Sequence, residues 1–225
     1  MVVCVPVFSH AVSSQVLRSQ LEEKAVNTHR GLFSLHMYVV DQLSASALSV
    51  NIVNTITDFI VKNSPTMIGT DVEKIVVEMQ TASVNWRPVK NQYNLDPNEP
   101  WVGLGFVSLD DLPNHATIVE GKWPEVNPDL NAPVQVAIHE NTADANFVNV
   151  GDTYRYKEML IEIAGIWKPN SVVDTYWFQD PNSAYDTLMW IPVETYQSEL
   201  RKFFNRPVFF ASWYVIMREA GLRFD

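Results

Sequence analysis

Apolar positions recur along this chain with two periods, and the changes between them mark its elements. A period of two puts one face of a strand inward, whereas a spacing of three to four draws a stripe along a helix. From Ser9 to about Arg30 the spacing is helical. Ser9 is placed to cap it, Val12, Val16, Leu17 and Leu21 form the stripe, and Arg18, Glu22, Glu23 and Lys24 lie opposite. Gly31 ends it, and Leu32–Val40 follows as a strand in which Phe33, Leu35, Met37 and Val39 alternate with Ser34, His36 and Tyr38. The strongest helical stripe runs from Ser44 to Lys62 through Leu48, Ile52, Val53, Ile56, Phe59 and Ile60, with Asn63-Ser64-Pro65 as its stop. Asp71–Ala82 is a strand with Val72, Ile75, Val77 and Met79 inward. Trp86–Pro100 has no period and reads as a long loop, and Trp101–Leu109 returns as a strand interrupted by Gly103 and Gly105. Strand, helix and strand from Leu32 to Ala82 predict a small sheet with a helix on one face.

The stretch from Ala116 to Pro169 is β-rich. Pro133–His139 alternates, with Val134, Val136 and Ile138 on one face and Gln135, Ala137 and His139 on the other. Thr153–Lys157 is a short strand after the Gly151-Asp152 turn, and Met159–Trp167 a longer one closed by Lys168-Pro169-Asn170. Between the first two strands, Glu140–Phe147 is long enough for two helical turns, with Ala143 and Phe147 on one face. Beyond it, Ser171–Ala184 is a loop carrying Tyr176-Trp177-Phe178, Thr187–Ile191 a short strand, Val193–Phe204 a helix and Val208–Met217 an aromatic strand.

Charge narrows the function classes. Twenty-six acidic against 16 basic side chains give a net charge of −10, without the basic stripe that nucleic acid or an anionic membrane surface would require. The single cysteine, Cys4, excludes an intramolecular disulfide and a cysteine-based zinc cluster. The apolar run Met1–Phe8 is too short to span a bilayer, which takes about 20 residues. It fits either a buried first strand or the outer end of a membrane helix.

No reactive constellation stands out. His139-Glu140 begins like a zinc-protease helix, but Ala143 occupies the place of the second histidine. His10, His29, His36 and His115 fall on different elements. There is no nucleophile elbow, phosphate loop or dinucleotide fingerprint. Glu158 and Glu162 on one strand face would stand about 13 Å apart, too far for a retaining glycosidase pair. No catalytic, cofactor-binding or metal-ligating residue is therefore expected. The aromatics remain: Trp101, Trp123, Tyr176, Trp177 and Phe178 are the candidate ligand or partner surface. They fit a platform for a sugar or lipid, or a plug between two parts of the fold.

One series of short motifs resembles a known family. Glu120-Gly121-Lys122-Trp123-Pro124, Val136-Ala137-Ile138, Val150-Gly151-Asp152-Thr153 and Ile163-Ala164-Gly165-Ile166-Trp167, in this order, resemble the periplasmic core domain of MacB/FtsX-type ABC transporter permeases. The resemblance implies an α+β fold, a porter-like sheet-and-helix subdomain with an inserted smaller β-rich subdomain. Residues 1–30 would be a juxtamembrane stub and stalk-like helix docked through Val12, Val16 and Leu21, residues 31–113 and 184–225 the porter-like part, and residues 114–183 the insertion. It further implies a membrane protein whose present domain lies on the extracytoplasmic side, is not an enzyme and needs no cofactor. Its partners would be a cognate cytoplasmic ATPase reached through transmembrane helices, a second permease copy or paired permease, and an extracytoplasmic protein. The other readings are a free-standing extracytoplasmic carbohydrate- or lipid-binding module, and a hydrolase built on acidic loop residues.

Overall fold

The computed structural model describes residues 15–16, 19–20, 23–24, 30–31, 33–41, 47–68, 71–89, 103–126 and 132–218. The fold is mixed α/β, and its strands join into one sheet. In chain order the strands are β1 (Ser34–Val40), β2 (Val72–Gln80), β3 (Val84–Asn85), β4 (Arg87–Pro88), β5 (Gly103–Leu109), β6 (Ala116–Gly121), β7 (Val134–His139), β8 (Thr153–Tyr156), β9 (Met159–Pro169), β10 (Leu188–Trp190) and β11 (Phe210–Met217). The helices are α1 (Val50–Ile68), α2 (Leu112–His115), α3 (Glu140–Asn146), α4 (Pro181–Ala184) and α5 (Val193–Phe203). The sheet order is β1-β11-β2-β5-β10-β7-β9-β8-β4, with β6 also on β9 and β3 also on β5.

Because β3 lies on β5 while β4, one residue further on, lies on β8, the pairing path from β5 through β10, β7, β9 and β8 returns to β5. Trp86 stands at the junction, fully buried, and its Nε1 donates to the Leu104 carbonyl at 3.1 Å. The loop expected over residues 86–100 therefore begins later: Trp86, Arg87 and Pro88 belong to the sheet, and residues 90–100 lie outside the described residues. The aromatic that looked like the start of a polar loop is the pin that closes the ring of strands. The short strand β10 ties the part around β5 to the β-rich part, pairing parallel with β5 and antiparallel with β7.

Both sheet faces are buried. One packs Met79, Phe106, Val136, Ile138, Ile161, Ile163 and Trp213 under α1 and α5, which contribute Val53, Ile60, Tyr196 and Leu200. The other packs Val107, Leu109, Ala137, Trp167 and Tyr214 under Tyr176, Trp177, Tyr185 and Trp190. Strands covered on both sides lose the polar half of the alternation, which is why Ala137 and His139 are as buried as Val136 and Ile138.

Helix α1 starts later and ends later than the stripe suggests. Ser49 caps it, its Oγ accepting from the Ile52 amide at 3.3 Å. It continues through Pro65 to Ile68. The missing proline N–H would have bonded the carbonyl of Val61, on the exposed side of the helix. No helix among the described residues is long and apolar enough to cross a membrane. The apolar run Met1–Phe8 lies outside the described residues.

The glycines of two motifs meet face to face. Gly121 at the end of β6 is paired with Gly165 of β9, and the Lys122 amide donates to the Ala164 carbonyl at 2.9 Å. A Cβ on Gly121 would stand 2.2 Å from the Ala164 oxygen, and one on Gly165 2.3 Å from the Lys122 oxygen. Gly121 also has φ +78. Beside them the third motif closes its turn: the Gly151 amide donates to the Ile163 carbonyl at 2.8 Å, and Asp152 accepts from the Asn149 amide at 2.9 Å. Gly151 has φ +88 but open space where a Cβ would go. Gly121→Ala and Gly165→Ala are therefore expected to cost about 3 kcal/mol or more each, or to prevent folding. Gly151→Ala should cost about 1–2 kcal/mol through its φ alone. Urea unfolding of the three variants checks the order; equal losses would contradict the steric account.

Candidate functional site

The aromatic candidates do not form one surface. Trp101 lies outside the described residues. Trp123 is half-buried and meets Trp190 edge-on at 5.2 Å. Tyr176 and Trp177 are interior side chains, 3% and 1% exposed. The Trp177 Nε1 donates to the Ser171 carbonyl at 2.9 Å, and its ring lies 6.4 Å from that of Trp167. The Tyr176 hydroxyl donates to the Asp110 carbonyl at 2.7 Å. Tyr176 and Trp177 thus offer no open stacking platform. They turn inward because β2, β5, β7 and β9 present apolar side chains on a face that no long helix among the described residues covers, and each finds a backbone carbonyl for its polar atom.

Phe178, next in the loop, is half-buried at the rim of the same core. Its ring stands 3.7 Å from that of His36 and 5.2 Å from that of Tyr214. The Arg30 guanidinium lies 4.1 Å from its centroid, while Arg30 Nε donates to the Phe178 carbonyl at 3.4 Å. The Gly31 amide donates to the Tyr214 hydroxyl at 2.9 Å. Residues 15–16, 19–20 and 23–24 are helical, so this clamp holds the chain between those helical residues and β1. Val16 is 51% exposed, so the stripe assigned to docking is open at that position; Val12 and Leu21 lie outside the described residues. The grip is on Arg30 and Gly31, which the periodicity did not single out.

Beneath the same loop lies a cluster of titratable groups. The His115 ring stacks on Tyr176 with centroids 3.7 Å apart and parallel planes. Its Nδ1 is 2.8 Å from Asp174 Oδ2, and its Nε2 is 3.1 Å from Lys74 Nζ, which also donates to Asp111. The hydrogen bond from Lys74 holds the Asp111 carboxyl below its usual range. Burial pushes Asp110 up, against the hydrogen bond it accepts from the Val77 amide. Every member is engaged by another, an arrangement that braces loop 171–186 on β2 and α2. Among the described residues no group of three or more His, Cys, Asp or Glu is arranged to hold a metal ion.

Two further titratable side chains sit inside the sheet. His139 is fully buried and caps α3, its Nδ1 accepting from the Asn141 amide at 3.1 Å. This is what the aborted zinc-protease pattern became. Burial lowers its pKa, against the nearby carboxylates of Glu140, Asp186 and Asp180. Glu78 in β2 is 7% exposed. Burial raises its pKa, against the hydrogen bonds it accepts from Gln80, Ser212 and Tyr185.

In fold the chain is similar to extracytoplasmic domains of ABC transporter permeases. The solved structures it is similar to include the periplasmic region of MacB from Actinobacillus actinomycetemcomitans, at 11% identity over 85% of this chain and 77% of that one, with a TM-score of 0.44. They also include the extracellular domain of the noncanonical ABC-type transporter YknZ from Gram-positive bacteria, at 12% identity over 84% and 85% of the two chains and a TM-score of 0.46. A third is a domain assigned to a permease protein from Porphyromonas gingivalis, at 15% identity and a TM-score of 0.39. That match covers 66% of this chain and 62% of the other, less than two thirds of its length. No protein-family model matches the chain, and no curated protein matches it. These likenesses concern fold and carry no site residue from one chain to another.

The two buried groups give opposite pH signatures. With a lowered folded pKa, His139 takes up a proton more readily in the unfolded chain, so its contribution is full above its ordinary pKa of 6.5 and is lost as pH falls below it. With a raised folded pKa, Glu78 loses its proton more readily when unfolded, so stability falls as pH rises from 4.5 through the folded pKa. His139→Asn keeps a capping side chain and should flatten the acid limb below pH 6.5. Glu78→Gln should melt higher than the parent at pH 7.5, by ~1 kcal/mol or about 2–4 °C. Thermal melts across pH check both. A parent-like acid limb in the first variant, or a lower Tm in the second, would contradict the assignments.

Proposed function

We propose that this chain is the extracytoplasmic domain of an ABC transporter permease, a non-catalytic domain that turns movement delivered through its N-terminal helix into work on a substrate or partner outside the membrane. The observation that carries the reading is the clamp on Arg30 and Gly31 by Phe178 and Tyr214. A helix can pass tilt or rotation to a domain only if its foot is fixed. Here Arg30 and Gly31 are held by a cation over the Phe178 ring and by two hydrogen bonds, one to the Phe178 carbonyl and one to Tyr214 of β11, inside the sheet. The motif series adds support, because its Gly121 and Gly165 occupy one close contact that few other residues could fill.

On this reading the power comes from a cognate cytoplasmic ATPase acting through transmembrane helices. The working unit pairs two permeases, as a homodimer or with a second permease, and the domain faces the periplasm or cell surface. It does its work by shape, with an external protein or the exported substrate as the object. The carbohydrate- or lipid-binding alternative needs aromatics open to solvent. Two of its five candidates, Tyr176 and Trp177, are spent on the core.

The first test is the full-length gene, which should encode hydrophobic spans of about 20 residues next to this segment. The second uses the whole transporter with its ATPase in proteoliposomes, spin-labelled at an Asp144→Cys site on both copies. ATP should change the distance between the labels. Arg30→Ala with Phe178→Ala should abolish that change while ATP hydrolysis continues. An unchanged response in the double variant, or no response in the parent, would sink the coupling role.

A further inference from the structure

The acidic surface has a basic exception on the closed ring of strands. A groove of about 660 Å³ opens beside β3, β4 and the end of β8, lined by Ser83, Asn85, Arg87, Arg155, Tyr156 and Lys157. Among the described residues it is lined by three cations and no carboxylate, in a chain with ten more acidic than basic side chains. Arg87 and Arg155 stand directly opposite each other in the antiparallel register of β4 and β8. Opposed residues put their side chains on one face, and like charges there destabilise the pair. Both guanidinia are exposed, and neither has an ion pair or hydrogen bond among the described residues. An anion between them would relieve that repulsion.

The scaffold under these cations is fixed. Arg87 follows the buried Trp86, and the Val89 amide donates to the Thr153 carbonyl at 3.0 Å. Tyr156 stacks on Phe204 at 5.7 Å and meets Trp86 at 5.8 Å. Lys157 turns the chain with φ +51, and its ammonium stands 5.1 Å from the Tyr156 ring centroid. Two guanidinium forks and an ammonium around one concavity supply more charged donors than a single carboxylate can accept, and suit a group with three acceptor oxygens and up to two charges. The volume is that of a small-molecule site, with Ser83, Asn85 and Tyr156 left to meet an attached polar body.

We propose that this groove binds a soluble phosphate ester, the phosphate held by Arg87, Arg155 and Lys157 and its polar organic body lying along Ser83, Asn85 and Tyr156. The site lies on residues separate from the Arg30 clamp and does not depend on the permease reading.

Glycerol 3-phosphate titrated into the protein, followed by the NMR resonances of the arginine side-chain Nε–H groups, tests it. The two resonances missing from the spectra of Arg87→Gln and Arg155→Gln identify the groove. Both should shift and saturate in the parent, glycerol at equal concentration should leave them in place, and either variant should bind about tenfold more weakly. Raising the salt should weaken binding further. Both arginines are exposed, and a Tm close to the parent's certifies that the variants fold; the parent titration stands even if one does not. Unmoved Arg87 and Arg155 resonances, or affinity unchanged in both variants, would overturn the proposal. A hexaglutamate peptide binding about tenfold more tightly than glycerol 3-phosphate would replace it with an acidic-peptide site. Binding seen only with phosphatidylglycerol vesicles would replace it with a membrane surface.

Discussion

The close approach of β6 to β9 at Gly121 and Gly165 is the constraint on which the β-rich half depends. Two backbone segments meet there with no room for a methyl group on either side. The parity of β9 also changes at this point. Between Val136 and Ala137 the register with β7 skips one residue of β9, Ala164. Before the skip Ile161 and Ile163 face the helix-covered core; after it Ile166 joins them and Trp167 faces the other side. A bulge of this kind bends and twists the strand that contains it. Here it lets one strand serve both cores and accept β6, β7 and β8 as neighbours. Three of the four short motifs that travel together in the chain, those of Gly121, Gly151 and Gly165, meet at this one contact.

The two cores are closed by different means, and the difference bears on function. Helices α1 and α5 cover one face with aliphatic side chains and Tyr196. The opposite face is closed by loop 171–186, whose Tyr176, Trp177 and Tyr185 do the work of a helix in a few residues. The next side chain, Phe178, packs at the rim of this core against Tyr214 and takes Arg30. The segment that seals the interior is thus also the one that holds Arg30, ahead of β1. Loosening the seal would loosen the grip.

Much of the fold is legible in the chain, because β1, β2, β7, β8, β9 and α5 follow apolar periods set by local geometry. What is not legible depends on partners remote in sequence. Trp86 precedes a tract of Asn, Pro and Asp and reads as the start of a loop; only its burial against Leu104 and Phe106 makes it core. Ala137 and His139 look like an outer face because nothing near them in the chain announces the cover supplied by residues 174–190. The start of α1 was set by the cap at Ser49 over the nearer-seeming Ser44, and its end by an exposed turn that tolerates Pro65. The site was legible in part. Tyr176-Trp177-Phe178 draws the eye as a cluster, but which of the three sits at the rim depends on Arg30, His36 and Tyr214, 140 and more residues upstream or 36 downstream. The groove at Arg87 and Arg155 shows only when β4 and β8 are laid side by side.

The path from Arg30 and Gly31 into the sheet makes the proposed mechanical reading specific. Tyr214 receives Gly31 and packs on Phe178 from the middle of β11, the strand with β1 on one side and β2 on the other. Both pairings are antiparallel and run nearly the full length of β11. A displacement delivered to Tyr214 therefore acts on three strands at once, through close-packed side chains that give little. The brace of Lys74, Asp111, His115 and Asp174 sits one strand further on, joining β2 and α2 to the same loop that carries Phe178. Loop and sheet are thus tied twice, once by the rings packed around Phe178 and once by charged hydrogen bonds beside β2. With two ties, a pull on Arg30 has to move β1, β11 and β2 together with the loop, and a rigid lever needs that property.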